Sequence, residues 1–184
     1  MSDIFVDNIK HQSSQGSGTI TIGASGESVT VPNGALSGQN YPAFYRVKTS
    51  NASITNETFT RVSFDTERFD TDNTMTATTF TVPSGKAGKY FFHSACIVDA
   101  NAVTQLGFIN SKYYKNGSQA NNILFDFRNN YVQQFNCQNT IILDLVAGDY
   151  IELYIRGFET SGNPNVNGSS GEDITYFMGY RIGA

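Results

Sequence analysis

Four carboxylates crowd one short stretch of the chain: Asp65, Glu67, Asp70 and Asp72. Carboxylate oxygens are hard ligands suited to calcium. Their spacing lacks the pattern of a dedicated calcium loop, and a solvated acidic turn is the plainer reading. The residues able to ligate a softer metal, or to act as nucleophile or base, are Cys96, Cys137, His11 and His93. They are not at zinc-site spacing. Cys96 lies in an apolar run and reads as a buried thiol that packs like a small apolar side chain. A disulfide to Cys137 is the open alternative, because sequence separation does not report geometry. His93, between Phe92 and Ser94, reads as structural rather than catalytic.

No G-x-S-x-G elbow is present, and Gly16-Ser17-Gly18 is a turn or linker rather than a phosphate cradle. Some pair of carboxylates could lie at glycosidase spacing, but nothing marks a particular pair. The expectation is therefore no catalytic residue, no metal and no cofactor. Asn163, Asn165 and Asn167 lie in a Gly- and Asn-rich stretch, residues 160–171, with no strand pattern. Their amides are able to hydrogen-bond sugar hydroxyls, and long loops on a sandwich are either functional or mobile. A flexible connector is the alternative.

The elements that position these groups are strands. Val, Ile and Thr outnumber Ala and Leu by more than two to one, which favours an all-β chain. At 184 residues the chain is long enough for one domain with a real core. Charged residues are 15% and the net charge is −4, with the Lys and Arg scattered. No basic stripe neutralises phosphates, so nucleic acid is not expected as a partner. No run approaches 18 apolar residues, so no membrane insertion is expected. The opening residues lack the apolar core of a signal peptide, so any extracellular role would be reached by lysis or a dedicated pathway.

Candidate strands fall at 43–48, 58–64, 78–83, 89–98, 103–114, 123–127, 132–135, 140–146, 150–156 and 173–182. This spacing, without a convincing 3.6-residue stretch, reads as an antiparallel sandwich. Asn116-Gly117 marks a hairpin turn that needs positive φ at both positions. Ala147-Gly148-Asp149 marks a second, three-residue hairpin loop. Residues 1–40 differ: Phe5 is their one aromatic, and two short alternating runs place Ile20 and Ile22, then Val29 and Val31, on single faces. Such a segment cannot build a core alone. It is expected to be an extended anchor that docks elsewhere, with a flexible tail as the alternative. The domain boundary falls at residue 40, with a head at 41–184.

Two strands break the alternation. In Tyr90-Phe91-Phe92 and in Tyr176-Phe177-Met178-Gly179-Tyr180, both faces carry large groups. A solvated face should be polar, and several wet aromatics exceed what a monomer ordinarily exposes. Tyr90, Phe91, Phe92, Tyr176, Phe177 and Tyr180 are therefore candidates for core and subunit interface, with loops of the same chain as the alternative cover.

These residues carry a resemblance. Pro42-Ala43-Phe44, then Phe80-Thr81-Val82-Pro83, Gly88-Lys89-Tyr90-Phe91-Phe92, Leu143-Asp144-Leu145-Val146-Ala147-Gly148-Asp149 and Tyr176-Phe177-Met178-Gly179-Tyr180 stand in the order of the complement globular head. The chain resembles that family, which shares the tumour-necrosis-factor-like jelly roll, over residues 42–182. Four residues separate Pro83 from Gly88 where the family has two, and Tyr150-Ile151 follows the Gly-Asp turn in place of a valine. The resemblance implies a jelly-roll sandwich, a homotrimer with aromatics buried on its threefold axis and, in some members, calcium in apical loops.

The N-terminal segment, with Gly18-Thr19-Ile20-Thr21-Ile22-Gly23 and Val29-Thr30-Val31-Pro32-Asn33-Gly34, is similar to leader segments of fibre and decoration proteins in tailed bacteriophages. The two likenesses together imply a non-enzymatic virion structural protein at the virion surface. It would be a fibre tip or capsid decoration joined to other virion proteins through residues 1–40, with adhesion to a host-surface glycan. A soluble lectin-like carbohydrate- or protein-binding module is the alternative.

Overall fold

The computed structural model describes residues 41–183. The expected anchor, with Ile20, Ile22, Val29 and Val31, lies outside the described residues. The head is built from strands alone: β1 (Ala43–Val47), β2 (Ala52–Ser53), β3 (Thr60–Arg61), β4 (Thr66–Asp70), β5 (Thr79–Thr81), β6 (Gly88–Asp99), β7 (Leu106–Lys115), β8 (Ser118–Gln119), β9 (Ile123–Asp126), β10 (Gln134–Leu145), β11 (Tyr150–Glu159), β12 (Asn165–Val166) and β13 (Tyr176–Gly183). Every pairing between them is antiparallel. One sheet runs β2, β12, β6, β13, β1, β4, with β10 along the other side of β6. The second runs β3, β11, β7, β8, with β5 also on β11 and β9 also on β7. The two sheets form the antiparallel sandwich that the strand spacing predicts.

The core follows from period-two alternation. From the first sheet Phe44, Tyr90, Phe92 and Phe177 turn inward, each at most 1% exposed. Ile109, Ile151, Leu153 and Ile155 meet them from the second. The rings pack edge to face or offset: Phe44 against Phe177 at 4.9 Å, Phe80 against Phe92 at 5.2 Å. Hiding each such ring contributes about 2–3 kcal/mol. One polar group crosses this core with its partners in place. Tyr113 Oη donates to Ser94 Oγ at 2.8 Å and lies 3.1 Å from the Asn139 carbonyl. Cys96 and Cys137 face each other across β6 and β10 as buried free thiols. The buried-thiol reading therefore holds over the disulfide.

The Asn116-Gly117 hairpin joins β7 to β8 as expected, but the turn at 147–149 carries the chain from β10 in one sheet to β11 in the other and closes no hairpin. Asn116 and Gly117 take φ of 51° and 76°, and Gly148 takes 87°. Asp149 ties the two turns together. Its Oδ1 accepts from Asn116 Nδ2 at 2.6 Å, its Oδ2 accepts from the Val146 amide at 2.9 Å, and Lys115 Nζ lies 2.9 Å from Oδ2. Burial opposes its charge, but the Lys115 ammonium and these donors outweigh it and hold the carboxyl at about 2, below its ordinary 3.8. Because the folded value is depressed, the stabilisation is complete above the unfolded value and is lost as pH falls through about 2. Asp149→Asn is expected to lower the melting temperature at pH 7, and the gap to wild type should close near pH 2. A gap that persists unchanged into acid would show that the carboxylate charge is not what matters.

Several boundaries differ from expectation. The two predicted strands at 132–135 and 140–146 are one strand, β10, whose polar residues 136 and 138 are simply its outward positions. Residues 103–105 are not strand, and 58–64 shortens to the two residues of β3. β4, Thr-Glu-Arg-Phe-Asp, has no apolar periodicity and pairs only with β1 at the sheet edge. The predicted loop at 160–171 carries β12, held between β2 and β6.

Candidate functional site

The outward face of the first sheet is the feature that stands apart. Strand registers place its side chains in rows. Ile142 on β10, Phe91 on β6 and Tyr180 on β13 are successive partners. Two residues along each strand, Thr140, His93, Met178, Tyr45 and Phe69 form the next row, reaching from β10 to β4. Tyr176 adjoins them, its ring 5.5 Å from Tyr45 and 5.6 Å from His93. Phe91 and Tyr180 lie 5.2 Å apart. Ile142 is 58%, Phe69 49% and Tyr180 42% exposed. Tyr45, Phe69, Tyr176 and Met178 line an apolar depression of about 280 Å³.

Polar groups border and organise this face. His93 Nδ1 lies 2.8 Å from Thr140 Oγ1, and Nε2 lies 3.1 Å from Tyr176 Oη. Burial pushes the imidazole pKa down, which favours the neutral ring. Tyr45 Oη donates to Asp173 Oδ2 at 3.1 Å, and Arg68 pairs with the same carboxylate at 2.6 Å. Burial foremost, then the Asp173 carboxylate, pushes the Tyr45 phenol up to about 12. At the opposite side Lys89 and Asp144 stand 3.6 Å apart.

The six aromatic candidates divide by parity. Tyr90, Phe92 and Phe177 take the core part of that expectation, because even-numbered positions of β6 and Phe177 on β13 point between the sheets. Phe91, Tyr176 and Tyr180 are on the outer face. Sequence reasoning did not single out Ile142, Tyr45 or Met178 for it. The alternation through Thr140–Leu145 carried the signal for Ile142, once β10 is known to flank β6.

The calcium candidates do not converge. Asp65 accepts from the Thr49 amide and hydroxyl and from Ser50 Oγ, and Glu67 pairs with Arg46 at 2.7 Å. Asp70 binds Thr74 Oγ1 and the Met75 amide, and Asp72 accepts from Thr71 Oγ1. Among the described residues no three His, Cys, Asp or Glu side chains are placed to share a metal ion. Of the asparagines expected to meet sugar, two have side-chain partners within the fold. Asn163 Oδ1 accepts from the Asn56 main-chain N–H at 2.9 Å and Asn165 Nδ2 donates to Asn101 Oδ1 at 3.3 Å, whereas Asn167 donates only its main-chain N–H, to the Ile97 carbonyl at 2.8 Å, and its side-chain Oδ1 is buried without a protein partner.

No protein-family model matches the chain, and no curated protein matches it in sequence. Solved structures do. The globular domain of zebrafish complement 1qA protein is similar with a TM-score of 0.52 and 16% identity, over 77% of this chain and 98% of that one. Murine APRIL at pH 5.0 is similar with a TM-score of 0.55 and 14% identity, over 78% of this chain and 100% of that one. The head domain is a C1q/TNF-like jelly roll.

Proposed function

We propose that this chain is a non-enzymatic virion surface protein of a tailed bacteriophage, whose residues 41–184 form a self-associating, homotrimeric head. The observation that carries the assembly is the outward face of the first sheet. Phe91, Tyr180, Ile142, Phe69, Tyr45 and Met178 gather on one flat side, bordered by the Arg68–Asp173 and Lys89–Asp144 pairs. An apolar centre with a polar rim is the anatomy of a protein interface. A second copy of the same face, apolar and bearing projecting rings, complements it, and the 280 Å³ depression gives such a ring a seat. Threefold symmetry is carried over from the complement-head resemblance. The virion role, as fibre tip or capsid decoration, is supported by the likeness of the N-terminal segment to phage leader segments.

Light scattering on the purified chain is expected to return three times the 20.2 kDa of one chain. Phe91→Asp places a charge at the centre of the face and is expected to reduce the mass to one chain without changing the β circular-dichroism spectrum. A wild-type monomer at micromolar concentration would refute the assembly. The virion role is tested by mass spectrometry of purified source particles, in which the chain should appear at stoichiometric abundance; its absence removes that part of the reading.

A further inference from the structure

Lys48 is the residue following β1, and its side chain reaches the Ser63 carbonyl, two residues past β3. The residue is only 5% exposed. Its Nζ makes one long contact, 3.4 Å to the Ser63 carbonyl, and none of the ion pairs among the described residues includes it. An ammonium carries three donors, and an uncompensated buried charge is among the costliest groups a fold can hold. The charge reaches the core: the Cys96 thiol, pushed up chiefly by burial and then by Cys137, is drawn partly back by Lys48.

Lys48 lines a pit of about 90 Å³ together with Ser63, whose carbonyl its ammonium contacts. Ile54 and Val62 are buried apolar wall, while Ser53, Arg61 and Ser63 form an exposed mouth. No carboxylate lines the pit. Arg61 is itself balanced by Glu152 at 2.5 Å. Lys48, Arg61 and Glu152 together therefore leave one net positive charge, with its source at the buried end. About 10–15 Å³ of probe-occupied volume suffices for one water, so the pit has room for a small polar group.

We propose that this pit is a binding site for a carboxylate monoanion, with Lys48 as its charge partner and the Ser53 and Ser63 side of the mouth open to whatever the carboxylate is attached to. Net charge favours a carboxylate monoanion over a phosphate dianion, and the apolar walls favour it over a strongly hydrated halide. The site shares no residue with the aromatic face, so it stands or falls independently of the assembly. Its carboxylate is either a free small acid or that of an acidic sugar.

The test is thermal unfolding of the full chain at constant sodium concentration with acetate, glucuronate or uncharged glucose. A ligand at about 100 times its dissociation constant raises the melting temperature of a domain this size by roughly 5–10 °C. Wild type is expected to respond to acetate and not to glucose, and Lys48→Met is expected to lose the response. A response to glucuronate of equal size identifies a saccharide-borne carboxylate; a response to acetate alone identifies a free acid. An equal response in Lys48→Met, or none in wild type to either anion, overturns the proposal. Should Lys48→Met fail to fold, wild-type crystals grown in acetate decide: carboxylate density on Nζ supports the site, and water alone there overturns it.

Discussion

Phe177→Ala is expected to destabilise the head domain by about 3–5 kcal/mol, a fall of roughly 10 °C or more in melting temperature. The ring is fully buried and touches Phe44, Phe64, Phe92 and Tyr113, at centroid distances from 4.9 to 5.9 Å. Removing it opens a cavity where both sheets meet, and neighbours held by their own ring contacts relax only partly. Tyr180→Ala, three residues along the same strand, is expected to behave differently. Its ring leans on Phe91 outside the sandwich, so the protomer core is untouched. The apparent mass in light scattering should fall at micromolar concentration, and the melting temperature should lose its dependence on protein concentration. If the two variants behave alike in both measurements, the division of this strand into a core face and an assembly face is wrong.

Gly179→Ala is expected to cost about 2–3 kcal/mol, as overpacking rather than backbone strain. Gly179 pairs with Phe44 on one side and Phe92 on the other. A Cβ there would stand 2.6 Å from Phe92 Cδ1 and 2.8 Å from Phe44 Cε1. Neither ring has room to retreat, since Phe44 packs on Phe80 at 5.1 Å and Phe92 on Phe177 at 5.9 Å. The glycine therefore sets the spacing of two large rings across three strands. Urea unfolding should show the loss, and adding Phe44→Leu to Gly179→Ala should recover part of it, a coupling that two independent defects would not give. A Gly179→Ala protein as stable as wild type would mean that the rings have slack the packing does not display.

Much of this was legible in one dimension because it is local. Alternation in Tyr150–Arg156 and the Asn116-Gly117 pair announce a strand and its turn from side-chain type alone. The excess of β-branched residues sets the class, and the resemblance of the aromatic and Gly-Asp motifs to the complement head implies the jelly roll. Crowding of aromatics around Tyr90 and Tyr176 also shows that both faces of these strands carry large groups. Which ring serves which face was not legible without parity. Phe91 and Phe92 are chemically the same, and only the register of β6 against β10 and β13 sends one into the core and the other outward. β4 escaped notice because an edge strand is held by backbone hydrogen bonds that leave no apolar period.

What the chain order alone determined is therefore the element type, the sandwich class and the existence of an over-rich aromatic surface, which rest on residue types and their local spacing. The tertiary structure decided the rest: the row that joins Ile142 to Phe91 and Tyr180, the scattering of the four carboxylates onto local donors, and the pit around Lys48. Each of these joins residues from different strands, and only pairing across the sheets brings them within reach.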